Sequence, residues 1–178
     1  CGTVQNPADF DYGGYYYDYQ YTSGHSEFVR KFMDVYAREV CSKYCEINGK
    51  IPESILEIGS GDGEQLKKFA NLGSARLLGV EPSKYLADIA NANGIRTEIA
   101  LFDKDLAIKI GEKYDVCISS YTFDHVRDPI DYIDAAWYAL SDNGLLVLEI
   151  HDLEKIVARG EYCLFEHEHT IYLDARTV

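Results

Sequence analysis

The sequence has no run of the roughly 18 apolar residues that a membrane-spanning helix requires, and no basic segment followed by an apolar one opens it. Basic residues are also scarce, since 17 Lys and Arg stand against 30 Asp and Glu, a formal charge of −13. A nucleic-acid groove needs a basic face to collect phosphates. We therefore expect no membrane and no nucleic acid among the partners of this chain.

The cysteines do not form a regular set. There are five, an odd number at irregular spacings, which differs from the disulfide framework of a small secreted protein. A reducing cytoplasm fits better, so we expect a soluble, cytoplasmic protein. Cys41 and Cys45 lie one helical turn apart, but no third and fourth ligands stand at zinc-finger spacing, which favours buried thiols over a metal site.

The first 26 residues are rich in tyrosine and glycine and lack a helical period. Such a segment is expected to drape over another part of the protein, with its phenol hydroxyls available for hydrogen bonds; a poorly ordered leader is the alternative. From Ser26 onward apolar residues recur at helical spacing, and Ser26 is a suitable N-cap. We therefore divide the chain into an N-terminal segment, residues 1–26, and a core, residues 27–178.

The core alternates short apolar runs with helical segments. Strands are predicted at "SILEIGS", "ARLLGVEPS", "IRTEIALF", "YDVCISSYTF" and "GLLVLEIHD", with helices between them. Strands separated by helices of roughly 10 to 15 residues are typical of βαβ units. The predicted fold class is α/β, a Rossmann-like three-layer sandwich with a mainly parallel sheet.

The first predicted strand ends in "EIGSGDG", a glycine loop at a strand-to-helix turn. Glycines there let a ligand approach the backbone, and the helix N-terminus adds partial positive charge. The spacing is G-x-G-x-G, whereas a dinucleotide loop is G-x-G-x-x-G, and Glu64 stands where its last glycine would be. A pyrophosphate would meet that carboxylate unfavourably.

Two acids near the loop indicate a different ligand. Glu57 precedes the loop and is placed to attract a ligand cation such as an ammonium group. Glu81 ends the second strand, where a carboxylate can accept both hydroxyls of a ribose. A ligand with a positive charge, a ribose and no phosphate fits this set.

In these motifs the sequence resembles the class I S-adenosylmethionine-dependent methyltransferases. The resemblance rests on "ILEIGSGDG", "GVEPS", "DVCISSYTFDHVRDP" and "LSDNGLLVLEI", and it covers about residues 52 to 150. It implies S-adenosylmethionine as cofactor, with its methionine end at the glycine loop, its ribose at Glu81, its adenine at the turn 100–103 and its sulfonium near Ser119. The implied cofactor-binding residues are Glu57, Gly59, Ser60, Gly61, Gly63, Glu81, Pro82, Phe102 and Ser119. The alternative is an α/β domain that uses its glycines only for tight packing.

Two outer segments resemble the sugar C-methyltransferases within that class. "CGTVQNP" and "YQYTSGHSEFVRKF" resemble the junction to a small zinc-binding domain, so Cys1 would be a remnant zinc ligand, with zinc bound only if that domain is present. "CLFEHEHTIYL" resembles the "YHEH" motif after the fifth strand. The resemblance implies a nucleotide-linked keto-sugar as substrate and a further C-terminal domain. We therefore expect a fragment that stops before the last strands of the fold.

Methyl transfer to carbon requires a carbanion equivalent, made by removing a proton next to a ketone, and a histidine suits this task. By resemblance His169 is the base, Glu168 its partner, His125 a polar contact to the substrate and Tyr21 a tyrosine that reaches the substrate. Glu166 departs from the family, which commonly has an aromatic residue there.

Several alternatives stay open. His125 could serve only to start a helix. His167 and His169 would face one side of an extended chain as a metal-ligand pair, but a third ligand is not evident, so no metal is expected. An O- or N-methyltransferase of small molecules and a non-catalytic cofactor-binding module are the rival functions.

Overall fold

A computed structural model of the chain describes residues 3–8, 11–22 and 26–177. Cys1, the predicted remnant of a zinc ligand, lies outside the described residues. The strands are β1 (Val4–Gln5), β2 (Ser54–Ile58), β3 (Arg76–Glu81), β4 (Thr97–Ile99), β5 (Tyr114–Ser120), β6 (Leu140–Glu149) and β7 (Ile171–Tyr172). The helices are α1 (Tyr12–Tyr17), α2 (Glu27–Asn48), α3 (Glu64–Asn71), α4 (Lys84–Ala92), α5 (Lys104–Ile110), α6 (Pro129–Ala139) and α7 (Leu153–Arg159). In the parts of the chain that are described, none of the helices has the length and apolar character to cross a membrane.

The main sheet has five parallel strands in the order β4-β3-β2-β5-β6. Its strand order reverses between β2 and β5, because the chain moves outward from β2 to β4 and then returns to the other side of β2. In such sheets the ligand crevice lies at the carboxyl ends of the strands, at this reversal. The predicted parallel α/β fold is confirmed, and it places the glycine loop at the crevice.

Helices cover both faces of the sheet and complete three layers. One apolar cluster joins α2, α3 and α4 to the sheet, and Leu66 and Phe69 of α3 are fully buried in it. The other cluster packs α6 against the opposite face through Tyr132 and Ala136. Burying a leucine or phenylalanine side chain stabilises a fold by about 1.5–3 kcal/mol, so these clusters hold the sheet rigid beneath the crevice.

The long helix α2 begins where the sequence predicts. The Ser26 side chain accepts a hydrogen bond from the Val29 backbone N–H at 3.3 Å, the arrangement of an N-cap. The helix ends at Gly49, whose left-handed conformation (φ 70°) suits a residue without a side chain. The amphipathic helix predicted from Ser26 onward is confirmed.

Asp115 ties α2 to the start of the sheet. Its Oδ2 accepts the backbone N–H groups of Glu53 and Ser54 at 2.8 and 3.1 Å, and its Oδ1 accepts the Tyr44 hydroxyl at 3.0 Å. Burial raises the pKa of Asp115, but these hydrogen bonds to the carboxylate outweigh it, and the pKa lies below its usual range.

The described part of the N-terminal segment lies over the core. Strand β1 pairs antiparallel with β7, and the Asn6 backbone N–H donates to the Thr170 carbonyl at 2.9 Å. Helix α1, which lacks a sequence signal, is capped by Asp11, whose side chain accepts the Gly14 N–H at 3.1 Å. A six-residue helix is marginal by itself, so its contacts with the core decide its formation.

Candidate active site

A cavity of about 760 Å³ opens at the carboxyl ends of β2, β3 and β5, beneath the N-terminal segment. It is large enough for a nucleoside cofactor together with part of a second ligand. The predicted site residues in its wall are Glu57, Gly59, Ser60, Gly61, Glu81, Pro82, Phe102, Tyr21, His125, Glu168 and His169. Gly63 and Ser119 lie outside the wall.

The glycine loop needs its first glycine for close packing. Gly59 has a φ of 76°, and a Cβ there would lie 2.1 Å from the Thr122 Oγ1. The N–H groups of Gly59 and Ser60 donate to the Val80 carbonyl at 2.8 and 3.2 Å, which holds the loop against β3. Gly63 caps α3 with a φ of 77° and packs against α4.

Glu57 is a buried carboxyl group without a counter-charge in the described structure. Its Oε2 has no hydrogen-bond partner among the described residues. Burial, reinforced by the carboxylates of Asp62, Glu81 and Glu149, raises its pKa well above 4.5. The Ser60 Oγ is also buried without a described partner. A ligand ammonium group would supply the missing charge and hydrogen-bond donors, so the loop fits the methionine end of S-adenosylmethionine.

Two backbone hydrogen bonds fix the carboxylate of Glu81 at the end of β3. Its Oε2 accepts the Gly61 N–H at 2.9 Å, and its Oε1 accepts the Ser83 N–H at 2.8 Å. Burial raises the pKa of Glu81, and these two hydrogen bonds act in the opposite direction. Each carboxylate oxygen retains a second lone pair, so both ribose hydroxyls could still be bound. Next to it, Phe102 lines the cavity with its ring 5.7 Å from that of Tyr132, in the place expected for adenine.

Ser119 differs from the expectation that it lies near the sulfonium. It is fully buried, and its Oγ lies 2.7 Å from the Tyr132 hydroxyl on the α6 side of the sheet. Successive side chains of a strand point to opposite faces, so Ser120 lines the cavity instead.

Three imidazoles meet at the substrate end of the cavity. The ring of His125 lies 4.5 Å from that of His169, which lies 5.2 Å from that of His151. The Tyr16 hydroxyl is 2.8 Å from His125 Nδ1. Burial lowers the pKa of His125, and the proximity of His169 lowers it further. His125 therefore stands in the cavity as a neutral, hydrogen-bonded ring, in a position to contact a substrate.

His169 is 2% exposed, and its Nδ1 donates to the Leu164 carbonyl at 3.1 Å. In the neutral ring this leaves the lone pair on Nε2, which lies 4.0 Å from Glu166 Oε2. The expected partner, Glu168, instead has its Oε2 3.0 Å from His167 Nδ1. The tautomer of His169 is thus set by a backbone carbonyl, and the carboxylate facing it is that of Glu166.

Glu168 is nonetheless an ionised group in the wall. Burial raises its pKa, but its own backbone N–H, a hydrogen bond with the Glu166 side chain and the imidazoles of His167 and His169 lower it, and the result lies below the usual range. The carboxylate therefore adds negative charge to the substrate end of the cavity.

In the segment "CLFEHEHTIYL", His167 and Glu168 form a turn and not part of an extended strand. The Glu166 N–H donates to the Tyr172 hydroxyl oxygen at 3.0 Å, and that hydroxyl donates to the Glu166 carbonyl at 3.2 Å, which closes the turn. The side chain of His167 is 70% exposed while that of His169 is buried, so they do not face one metal. In residues 3–8, 11–22 and 26–177, no cluster of three or more potential metal ligands occurs.

Tyr21 lies at the rim and is 67% exposed. From the N-terminal segment, Tyr16 of α1 reaches the imidazole cluster, with its hydroxyl at His125 Nδ1.

Asp124 and His151 are two further residues of the cavity region that were not predicted from the sequence. Asp124 Oδ2 accepts both the ring Nδ1 of His151, at 2.8 Å, and its backbone N–H, at 3.1 Å. A signal was present, because the two residues follow neighbouring parallel strands, β5 and β6, whose carboxyl ends meet at one edge of the sheet.

A parallel α/β domain with a glycine loop, an unpaired buried acid and a ribose-type acid at the strand reversal belongs to the class of nucleoside-cofactor-binding domains. Residues 29–178 match the methyltransferase domain family, and the chain belongs to that family. The expected class I methyltransferase family and fold are therefore confirmed.

Individual relatives agree with this family. The chain is 27% identical over 121 residues to the C-methyltransferase NovU of Streptomyces niveus, which covers 66% of this chain and 29% of NovU. The plantazolicin methyltransferase BpumL in complex with SAH aligns with a TM-score of 0.63 and 25% identity, over 74% of this chain and 50% of BpumL. The sugar N-methyltransferase KedS8 from Streptoalloteichus sp ATCC 53650 aligns with a TM-score of 0.63 and 18% identity, over 84% of this chain and 59% of KedS8. The chain thus spans less than two thirds of each relative.

Proposed function

We propose that this protein is an S-adenosylmethionine-dependent methyltransferase that methylates a carbon atom of a nucleotide-linked keto-sugar. The observation that carries the proposal is the buried His169, with Nδ1 fixed by the Leu164 carbonyl, in the same cavity as the glycine loop. An imidazole with a defined lone pair next to a methyl donor is what carbon methylation requires. The name of NovU, a C-methyltransferase, supports the choice of atom.

The cofactor is held by residues at the ends of β2 and β3. Glu57 would bind the ammonium group, Glu81 the ribose hydroxyls, and Pro82 and Phe102 would flank the adenosine. The BpumL complex contains SAH, which supports the same cofactor for this chain. When bound, S-adenosylmethionine supplies an electrophilic methyl group on a sulfonium.

The chain's own task is to make the substrate carbon nucleophilic. His169 Nε2 takes the proton from the carbon next to the ketone, and the electron pair of the broken C–H bond forms the enolate. With S-adenosylmethionine held by Glu57 and Glu81, the enolate carbon would accept its methyl group, and the sulfur would keep the electron pair of the S–CH₃ bond. The ketone re-forms, and the proton on His169 passes to solvent.

The charges of the cavity restrict where the nucleotide lies. Arg127 is the one Arg or Lys in the described part of the wall, beside several carboxylates. Its guanidinium lies 5.4 Å from the Tyr12 ring centre, at the exposed side of the cavity. We place the sugar ring near the imidazoles and the diphosphate toward Arg127.

The experiment uses His169→Asn. A nucleoside diphosphate-linked 4-keto-hexose is incubated in D₂O with the protein, and deuterium at the carbon next to the ketone is followed by NMR. We expect exchange with the wild type and none with His169→Asn, while calorimetry shows nearly equal S-adenosylmethionine binding. Exchange at the wild-type rate in the variant would contradict the assignment of the base.

A second candidate is N-methylation of a small amine, because carboxylates dominate the substrate end and would attract an ammonium group. KedS8 is named as a sugar N-methyltransferase. Carbon and nitrogen products have equal mass but different methyl carbon shifts, so NMR of the product distinguishes them. Cofactor binding without any product would favour the non-catalytic module.

A further inference from the structure

Asp124 and His151 form a buried carboxylate–imidazole pair that has no role in the reaction proposed above. Asp124 is completely buried, and its Oδ1 has no hydrogen-bond partner among the described residues. A carboxylate accepts only, so the His151 Nδ1, 2.8 Å from Oδ2, is the donor. A buried charge is costly unless it is compensated, and the His151 ring is the group in contact with this carboxylate.

Of the two residues, His151 is the one that reaches the cavity. His151 lines the cavity, and its side chain is 22% exposed, against 3% for His169. Because Nδ1 is occupied by Asp124, Nε2 is the nitrogen left for a ligand. Tyr121 packs against the ring at 4.8 Å and has a φ of 51°, an uncommon conformation for a residue with a side chain. The ring is therefore held from two sides.

Carbon methylation needs two different groups. The base needs a lone pair, and in the neutral ring of His169 that lone pair lies on Nε2, because the Leu164 carbonyl holds Nδ1–H. The enolate oxygen needs a hydrogen-bond donor, best a charged one, where negative charge develops. His151 in its imidazolium form would meet this need, because the Asp124 carboxylate 2.8 Å from Nδ1 would balance its charge.

We propose that His151 is a second catalytic residue, which donates a hydrogen bond from Nε2 to the ketone oxygen and stabilises the enolate, with Asp124 as its positioning residue. This inference rests on the proposed carbon methylation. As His169 removes the proton, negative charge moves onto the oxygen, and the Nε2–H of His151 approaches it. When the new C–C bond forms and the ketone returns, the proton remains with His151, so the net proton is the one on His169.

The test measures deuterium exchange and methyl transfer in His151→Ala, His151→Gln and Asp124→Asn. Removing one donor to a developing oxyanion costs about 10²- to 10³-fold in rate, so His151→Ala should lower both the exchange rate and kcat by about that factor. The KM and the affinity for S-adenosylmethionine should change little. His151→Gln, which retains an N–H donor, should recover part of the rate.

Asp124→Asn tests whether the negative charge of Asp124, and not only the shape of its side chain, is required. It keeps the size of the side chain but removes the counter-charge, so its rates should fall toward those of His151→Ala. The double variant should be no slower than His151→Ala alone, because the two residues act as one unit. Additive losses would contradict a positioning role for Asp124.

The control is Glu46→Gln, which changes an exposed side chain of α2 outside the cavity wall and should leave exchange and kcat unchanged. Wild-type exchange in His151→Ala would overturn the inference. If His151→Ala does not fold, a wild-type kcat in His151→Gln and Asp124→Asn together would overturn it equally. If the wild type neither exchanges nor methylates the keto-sugar, the proposed function fails, and this outcome is distinct from the others.

Discussion

Replacing Glu57 by glutamine should weaken cofactor binding and, at the same time, stabilise the protein without cofactor. Glu57 is buried beside other carboxylates, and its Oε2 has no partner within the described residues. Gln keeps the size of the side chain but has no charge. These opposite effects are expected of a residue that destabilises the protein without cofactor and stabilises its complex with a cationic ligand.

The expected loss of affinity follows from one charge-assisted contact. Hydrogen bonds to charged groups contribute about 1.5–3 kcal/mol, so Glu57→Gln should raise the Kd for S-adenosylmethionine by about 10- to 150-fold. Glu46→Gln is the control, because it removes an exposed carboxylate of α2 far from the loop, and it should leave the Kd unchanged.

The stability effect depends on pH with a definite sign. The pKa of Glu57 is raised in the folded protein, so the folded state retains the proton longer than the unfolded state. Stability contributed by this group is full below the ordinary pKa of 4.5 and is lost as the pH rises toward the folded value. At neutral pH the variant should therefore unfold at higher urea concentration than the wild type, and the difference should vanish in acid.

Proton release gives an independent assay. An ammonium group bound next to Glu57 favours its ionised form, so binding should release protons from the wild type. Titration calorimetry in two buffers of different ionisation enthalpy measures this release, and Glu57→Gln should show less of it. Equal Kd values and equal proton release in wild type and variant would refute the assignment of Glu57 to the ammonium group.

Two further predictions test the scaffold. Gly59→Ala places a Cβ against the Thr122 Oγ1 at a residue with a left-handed backbone conformation. Calorimetry should show loss of cofactor binding, and urea unfolding should show a free energy of unfolding lower by about 1–3 kcal/mol. Wild-type values in both measurements would show that the loop adapts. Asp115→Asn weakens the contacts to Tyr44 and to β2, and should cost about 1.5–3 kcal/mol at neutral pH. Because the pKa of Asp115 is lowered on folding, the wild type should lose this advantage as the pH falls below 3.8, and a constant difference would contradict it.

Much of the fold and of the cofactor end could be predicted from the sequence. The strands and helices follow from local apolar periodicity, and parallel βαβ units have one hand, so the order of segments largely sets the sheet. Glu57, Gly59 and Glu81 stand at the ends of the first two sheet strands, and the topology brings such ends together.

The substrate end could not be predicted in the same way. Glu168 follows His167 and precedes His169 in sequence, yet its carboxylate lies at His167, because a turn closed by Tyr172 separates the two rings. The partner of His169 is the Leu164 carbonyl, and a backbone acceptor leaves no signal in residue type.

The sequence by itself therefore determined a parallel α/β methyltransferase domain and the acids and glycines of its cofactor loop, because these depend on contacts within or between adjacent segments. Only the tertiary structure decided how the imidazoles and carboxylates of the cavity wall are paired. Helix α1 and the pair of Asp124 with His151 depend on contacts between residues far apart in the chain, and the geometry of those contacts is set by packing.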